Sequence, residues 1–341
     1  MAGLFFFCVL PRGKVGVRFR ASDLDQSMPD TTRRNLLTAG ALAVSFFIQP
    51  IAGAFAADSA AYSVIDSASG HVLMAQGASR KMGIGSLTDI ATGMVVLDWM
   101  DARKHDINEL VTIPPEAAGF PQNPIGFQPG DQASIRDLLY AMLMQSDDIA
   151  AYALALHVGQ DLQGAAPDTT PLQRFVAQMN ALARKLGMRS TIFVNPTGLE
   201  INERKLPYST AGDMALLARY AMDRSQFRFY VSQKDRDITV DHVGGAPGGY
   251  GLQNTNELLG VDAIDGVRTG TTRRSGACVI LSAARPPESI QQGENYIITP
   301  RRLVVVVLGT ENRFDEGHQL LQSGWAAYDQ WSAKGRPAKH G

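Results

Sequence analysis

The sequence predicts a mixed α/β fold of the α+β kind: one antiparallel sheet built from both ends of the chain, helices packed on it, and an inserted, mostly α subdomain. Three observations support this prediction. Two short apolar runs separated by a Ser-Gly turn indicate a β-hairpin at 61–76. Apolar runs at 265–283 and 302–309 indicate strands near the other end. The segment between the two strand regions has mostly helical spacing.

Helical periodicity recurs along the middle of the chain. The predicted helices span 134–144, 147–158, 172–186 and 209–222. A final helix at 315–332 places Leu321, Trp325 and Tyr328 on one face. Residues 111–135, rich in proline and glycine, predict a structured excursion, and the polar residues 285–299 predict a second excursion between two strands.

Composition and charge exclude several classes of protein. The chain has 341 residues, of which 45% are hydrophobic and 19% are charged, which is typical of a globular protein. The formal net charge is −1 and no basic stripe is interleaved with aromatic residues, so nucleic-acid binding is not expected. Two distant cysteines, Cys8 and Cys278, cannot form a disulfide framework once a leader is removed.

The first part of the chain predicts an export signal. The pair Arg33-Arg34 is followed by an apolar run and by the small-x-small pattern Ala54-Phe55-Ala56. This arrangement resembles a twin-arginine signal, with cleavage expected near Ala56 or Ala57. Translation from Met28 instead of Met1 would place the arginines where such signals usually have them, and both starts stay open.

The expected organisation follows from this signal. Residues 1–57 form a leader that is removed, 58–333 form the main domain, and 334–341 form a short polar tail. The apolar core of the leader is shorter than the ~20 residues that span a bilayer. No amphipathic C-terminal anchor is evident either, so a periplasmic protein without a stable membrane anchor is expected.

The stretch 83–100 places Ser86 at the start of an apolar helical pattern, and two interpretations are open. In the first, Ser86-Leu87-Thr88-Asp89 is a capping box, which satisfies free amides at a helix start. In the second, Ser86 is a nucleophile, with Asp89 one turn along on the same side of the helix.

Three short signatures occur in a fixed order: Ser86-Leu87-Thr88-Asp89, Ser146-Asp147-Asp148 and Arg268-Thr269-Gly270. They align with S-x-x-K, S-D-N and K-T-G, the motifs of penicillin-recognising serine acyl-transfer enzymes. The chain is similar to the low-molecular-mass penicillin-binding proteins that act as D-alanyl-D-alanine carboxypeptidases, from about residue 60 to residue 308. The resemblance implies a DD-peptidase/β-lactamase-like fold and, as the penicillin-binding domain, residues 58–333.

The resemblance also implies a role for each matching position. Ser86 attacks the terminal D-Ala-D-Ala bond of a peptidoglycan stem peptide, and β-lactams are further expected ligands. Position 89 activates the serine, and Ser146 relays a proton beside position 148. The segment Arg268, Thr269 and Gly270 holds the substrate carboxylate, and the Thr272 amide is expected in the oxyanion hole. Neither a metal nor an organic cofactor is expected.

Three departures fall on these reactive positions. Asp89 and Asp148 replace a lysine and an asparagine, and Arg268 replaces a lysine, so the formal charge of the three positions changes from +2 to −1. Losing a positioned base slows a reaction by ~10²- to 10⁴-fold. Three hypotheses follow: an exported D-Ala-D-Ala carboxypeptidase, a catalytically inactive relative that binds cell-wall peptides or serves as a scaffold, and an esterase or β-lactamase on the same scaffold.

Overall fold

The computed structural model describes residues 8–10, 14–20, 59–163, 168–200, 205–292 and 295–337. The predicted export signal therefore lies outside the described residues. The described strands are β1 (Cys8–Leu10), β2 (Lys14–Arg20), β3 (Ala61–Asp66), β4 (Val72–Gln76), β5 (Leu110–Thr112), β6 (Gln132–Ser134), β7 (Asp235–Val240), β8 (Gly248–Gln253), β9 (Ile264–Thr272), β10 (Gly276–Gln292) and β11 (Asn295–Thr310). The described α-helices are α1 (Asp89–Arg103), α2 (Ile135–Gln145), α3 (Asp148–Asp161), α4 (Pro171–Lys185), α5 (Ala211–Asp223), α6 (Ser225–Val231) and α7 (Arg313–Ala333).

The chain divides into two compact units. One contains residues 58–284 and 302–341, and the other contains residues 1–57 and 285–301. In the smaller unit, β2 pairs antiparallel with β1 and with residues 295–298 of β11. The expected polar excursion at 285–299 is wrong, because β10 and β11 continue as strands through most of it.

The sheet of the larger unit joins the two ends of the chain, as predicted. Its strands are antiparallel and follow the order β9-β10-β11-β3-β4. The pairing of β3 with β11 aligns Ile65 with Val304 and Val64 with Val305. The hairpin of β3 and β4 confirms the prediction for 61–76.

Alternation along these strands produces two hydrophobic cores, one on each face of the sheet. Ile65, Val304 and Val306 belong to the core shared with the helical subdomain. Val64 and Val305 belong to the other core, which α7 covers. On α7 the residues predicted to share a buried face, Leu321, Trp325 and Tyr328, are all buried in that second core, which confirms the prediction.

The helical subdomain is built around α1, whose residues Ile90, Met94 and Leu97 are completely buried. The four helices predicted in the middle of the chain are present within one or two residues of the expected positions as α2, α3, α4 and α5, apart from the last turn of α3. Helix α6 and the hairpin of β7 and β8 were not expected from the sequence. Among the described residues, no helix is long and apolar enough to cross a bilayer.

Candidate active site

Ser86 lies in a single 3₁₀ turn, Gly85–Thr88, directly before α1. Ile84 and Leu87 on either side are completely buried, and Gly85 adopts a φ of +51°, a conformation that side chains disfavour. These contacts fix the backbone of the turn. Ser86 itself is 6% exposed, and its residue reaches the surface only through a cleft described below.

The capping-box interpretation of this turn is wrong. Helix α1 begins at Asp89, and no side chain caps its N-terminus. The Asp89 carboxylate instead accepts a hydrogen bond from Arg268 on β9. A buried guanidinium attracts a buried carboxylate more strongly than exposed backbone amides do, because little water competes for either charge.

Arg268 and Asp89 form a buried ion pair, with 2.5 Å between Nη2 and Oδ2. The Arg268 side chain is 0% exposed and that of Asp89 is 3% exposed. Burial raises the pKa of the Asp89 carboxyl to about 7, and the guanidinium opposes that rise. The pair brings the first and third signatures together, but through charges opposite to those of two lysines.

The same guanidinium also holds the second signature. Arg268 donates through Nη2 to Ser146 Oγ at 2.5 Å and to the Met142 carbonyl at 2.8 Å, and through Nη1 to the Leu143 carbonyl at 2.9 Å. Ser146 ends α2 in a left-handed conformation with φ of 60°, which turns its hydroxyl toward Arg268. A cation at the carbonyl end of a helix is favourable, since those carbonyls lack partners within the helix.

The two acidic residues after Ser146 have different surroundings. Asp147 caps α3 by accepting a hydrogen bond from the Ala150 amide at 2.9 Å. Asp148 is 2% exposed, and its Oδ2 atom has no hydrogen-bond partner in the described chain. Burial, together with the negative charges of Asp89 and Asp147, raises the pKa of Asp148 to about 8. At neutral pH its carboxyl group is therefore mostly uncharged.

Strand β9 packs against the Ser86 turn at one position that only glycine can occupy. A methyl group added at Gly270 would lie 2.9 Å from the Ile84 carbonyl, 3.0 Å from the Leu87 nitrogen and 3.1 Å from the Ser86 nitrogen. On the same strand, the hydroxyl of Thr269 lies 2.7 Å from that of Thr255. The absence of a side chain at Gly270 thus sets the distance between β9 and the serine.

The amides of β9 after Gly270 divide between its two edges. The Thr272 amide donates to Ser275 Oγ at 2.9 Å, in the turn toward β10. Because successive amides of a strand point in opposite directions, the Thr271 amide faces the other edge, and its nitrogen lies 3.4 Å from a methyl group placed on Gly85. The geometry therefore differs from the expectation at Thr272 and favours Thr271 as the amide beside Ser86.

A cleft of about 460 Å³ connects these parts. Its lining residues are Ser86, Pro121, Gln122, Asn123, Pro124, Gln145, Ser146, Thr255, Thr269, Gly270, Thr271 and Arg313. Asp89, Asp148, Arg268 and Thr272 are not among the residues that line it. The structure thus brings Ser86, Ser146, Thr269 and Gly270 to one surface and places the ion pair beneath it.

Arg313, which the sequence did not single out, is the one charged side chain among the described residues that line the cleft. Its Nη1 atom donates to Thr271 Oγ1 at 2.7 Å and lies 3.3 Å from the Gly270 carbonyl. A guanidinium held beside two threonines suits a carboxylate ligand. Its position at the start of α7, directly after the central strand β11, was the available sequence signal.

No basic group is placed to take a proton from Ser86 within the described part of the chain. The lining residues include no histidine, lysine or acidic residue. Lys81 lies outside the cleft, with its ammonium 4.7 Å from the centre of the Tyr208 ring. No group of three His, Cys, Asp or Glu residues suited to a metal ion occurs among residues that the structure describes.

An antiparallel sheet with helices on both faces, and a serine turn, a second serine and a β-strand around one cleft, define the class of serine acyl-transfer enzymes to which the penicillin-binding proteins belong. The family model of the D-alanyl-D-alanine carboxypeptidases matches residues 49–291. The chain belongs to that family of serine peptidases, as its motifs predicted.

Curated relatives and solved structures agree with this assignment. The chain is 31% identical to D-alanyl-D-alanine carboxypeptidase DacC of Escherichia coli K12, over 80% of this chain and 62% of that relative. It is 30% identical to DacD of Salmonella typhimurium, over 83% of this chain and 65% of that relative. The chain thus spans slightly less than two thirds of the length of these relatives.

Two solved structures show the same fold. The DD-transpeptidase of Streptomyces K15 matches with a TM-score of 0.66 at 24% identity, covering 79% of this chain and 97% of that one. Penicillin-binding protein D2 of Listeria monocytogenes, in a cefotaxime-bound form, matches with a TM-score of 0.60 at 29% identity, with the same coverage.

Proposed function

We propose that this chain is exported to the periplasm, where its Ser86 cleft binds peptidoglycan stem peptides ending in D-Ala-D-Ala and Ser86 cleaves them as a D-Ala-D-Ala carboxypeptidase. One observation carries the proposal: Ser86, Ser146, Thr269 and Gly270 line a single cleft although they come from three separated segments. The assignment of the chain to the carboxypeptidase family supports the substrate class.

In this proposal the cleft orients the peptide by its two ends. Arg313 and Thr269 bind the terminal carboxylate, which places the last peptide bond against Ser86 Oγ. The amides of Ser86 and Thr271 stabilise the oxyanion that forms when Oγ attacks the carbonyl carbon. Breaking the C–N bond releases D-alanine and leaves an ester on Ser86, which water then hydrolyses. β-Lactams would acylate the same oxygen.

The proton steps are the weak part of this chemistry. The Ser146 hydroxyl, which could pass a proton to the departing amine, is bonded to Arg268. A guanidinium does not lose its proton in proteins, so it cannot serve as the base that a neutral lysine provides. The carboxylate of Asp89 is engaged by Arg268. Acylation slower by ~10²- to 10⁴-fold than with a positioned base is therefore expected.

A second candidate function is favoured by the buried ion pair itself: a catalytically inactive homologue that binds cell-wall peptides or serves as a scaffold. Asp89 and Arg268 satisfy each other beneath the cleft, and the lining keeps its hydroxyls and Arg313 without a base. Such a site can hold a carboxylate-ended peptide without cleaving it. The two candidates share the ligand and differ in whether Ser86 becomes acylated.

Acylation by a fluorescent penicillin separates the two candidates. Wild-type protein and Ser86→Ala are incubated for hours, and adducts are located by mass spectrometry. A label on Ser86 in the wild type supports the carboxypeptidase, whereas no label after long exposure rejects it. Hydrolysis of a chromogenic cephalosporin or a short-chain ester without release of D-alanine from a pentapeptide would instead identify a β-lactamase or esterase.

Reversion of the departures tests the second candidate. Asp89→Lys alone would place an ammonium against the Arg268 guanidinium, so the informative variant combines Asp89→Lys, Asp148→Asn and Arg268→Lys. Labelling in this variant only, together with calorimetric binding of a D-Ala-D-Ala peptide by the wild type, supports the inactive homologue. Wild-type protein that neither reacts with penicillin nor binds the peptide contradicts both candidates.

A further inference from the structure

A second cleft of about 560 Å³ lies away from Ser86, against the first half of α2, helix α6 and strand β7. We call it the aromatic–arginine cleft and define it by Arg136, Tyr140, Phe229, Tyr230 and Arg236. None of these five residues lines the Ser86 cleft. The role described above leaves this second cleft without an assigned ligand.

Two phenols form its base. Tyr140 is 1% exposed and Tyr230 is 4% exposed, and their ring centres are 4.6 Å apart. Within the described chain neither hydroxyl has a hydrogen-bond partner, although both residues line the cleft. Burial raises the pKa of both phenols, so each keeps its proton and remains a donor. Buried donors without partners favour a ligand that accepts hydrogen bonds.

Two guanidiniums flank the phenols. The Arg236 guanidinium lies 5.1 Å from the centre of the Tyr140 ring, and no acidic group pairs with it among the described residues. Its neighbours Asp235 and Asp237 point to the opposite face of β7, because Arg236 shares a face with the buried Ile238. The positive charge of Arg236 is therefore available to a ligand in the cleft.

Arg136 is held in place by protein groups. Its Nε lies 3.0 Å from Asp137 Oδ1, and its Nη1 donates to Asn108 Oδ1 at 3.1 Å. Asp137 balances the charge of Arg136, which leaves Arg236 as the one uncompensated charge of the five defining residues. A ligand group with a single negative charge, such as a carboxylate, matches this balance better than a doubly charged phosphate does.

Phe229 adds an apolar contact at the mouth of the cleft. Its side chain is 55% exposed, in edge contact with Tyr230 at a ring-centre distance of 6.4 Å. We propose that the aromatic–arginine cleft is a second ligand site, which binds a carboxylate next to an apolar side chain, as at the C-terminus of a peptide. Arg236 and the two phenols hold the carboxylate, and Phe229 contacts the apolar group.

Binding of N-acetyl-L-phenylalanine, measured by NMR titration of the whole protein, tests this site. The matched neutral probe is N-acetyl-L-phenylalanine amide, and inorganic phosphate is the third probe. A Kd on the order of 1 mM is expected for the acid, as for a ligand of this size. Arg236→Gln should weaken it about tenfold, because a charge-assisted hydrogen bond is lost. Arg189→Gln is the control, since Arg189 is an exposed arginine outside both clefts.

The outcomes are distinct. Tight binding of the acid, weaker binding of the amide and loss in Arg236→Gln and Phe229→Ala support the site. Equal binding of acid and amide, an unchanged Arg236→Gln, no binding of the acid, or stronger binding of phosphate than of the acid overturns it. The titration is independent of Ser86 acylation, so a failure here leaves the proposed function untouched.

Discussion

Arg268 Nη2 and Asp89 Oδ2 lie 2.5 Å apart, although 179 positions separate the two residues in the chain. Both side chains are buried, and the same guanidinium atom also bonds Ser146. One arginine therefore connects all three signatures of the site. The positions expected to carry two cations instead hold a neutral pair, so the changes at residues 89 and 268 act together.

Replacing Asp89 by Asn should destabilise the protein strongly. The change keeps the size of the side chain but leaves the Arg268 charge buried without a counter-ion. Breaking a buried pair in this way lowers the free energy of unfolding by about 3 kcal/mol. Urea unfolding at pH 8 measures the effect.

The matched control is Asp101→Asn, which breaks the contact of Asp101 with Arg224 at the surface. The Asp101 side chain is 58% exposed, so a change below about 1 kcal/mol is expected. Equal effects of the two substitutions would show that the buried pair has no special weight.

The stability of the protein should fall as the pH rises, through Asp148. Burial raises the folded-state pKa of Asp148 from 3.8 to about 8, so the folded state keeps a proton that the unfolded state has lost. The free energy of unfolding therefore decreases from about pH 4 to about pH 8. Asp148→Asn stays neutral and should be more stable than the wild type at pH 9, by on the order of 2 kcal/mol.

Urea unfolding at several pH values provides the comparison. Asp235→Asn, at an exposed position of β7, should follow the wild-type curve. An Asp148→Asn curve parallel to that of the wild type would contradict the assignment of this pH dependence to Asp148. Asp89 contributes with the same sign, because burial also raises its pKa, to about 7, so some slope should persist in the variant.

Replacing Gly270 by Ala should disturb both stability and Ser86. The added methyl group would lie 3.1 Å or less from three backbone atoms of the serine turn, and overpacking of this kind lowers stability by about 2 kcal/mol. Gly249→Ala in β8 is the control, since a methyl group there has no neighbour within 4 Å. Thermal unfolding and penicillin labelling measure both effects. A Gly270→Ala variant as stable as the control would mean that the turn relaxes.

The sequence was sufficient for the elements whose periodicity is local. The hairpin of β3 and β4, most helices and the buried face of α7 follow from apolar spacing alone. It failed where polar residues form strands: the outer parts of β10 and β11, with Pro286 and Pro287, have no apolar alternation. Strands β7 and β8 escaped for the same reason, one being charged and the other rich in glycine.

The site shows the same limit. The order of the signatures was enough to place Ser86, Ser146, Thr269 and Gly270 around one cleft. It could not show that Arg268 is buried against Asp89, because the resemblance implied a cation that faces the substrate. Pairing between distant residues depends on the register of β9 against the serine turn, which no local pattern in the sequence specifies.

A double-mutant cycle on the ion pair gives the most direct test of this coupling. Asp89→Leu alone leaves the Arg268 charge unpaired, and Arg268→Met alone leaves the Asp89 carboxyl buried without its donor. The double variant removes both charges, so it should be less destabilised than the sum of the single variants by about 1 to 3 kcal/mol. It should still be less stable than the wild type, because the carbonyls of Met142 and Leu143 lose their donor. Urea unfolding of the four proteins at pH 8 measures the coupling, and strictly additive effects would mean that the two charges do not stabilise each other.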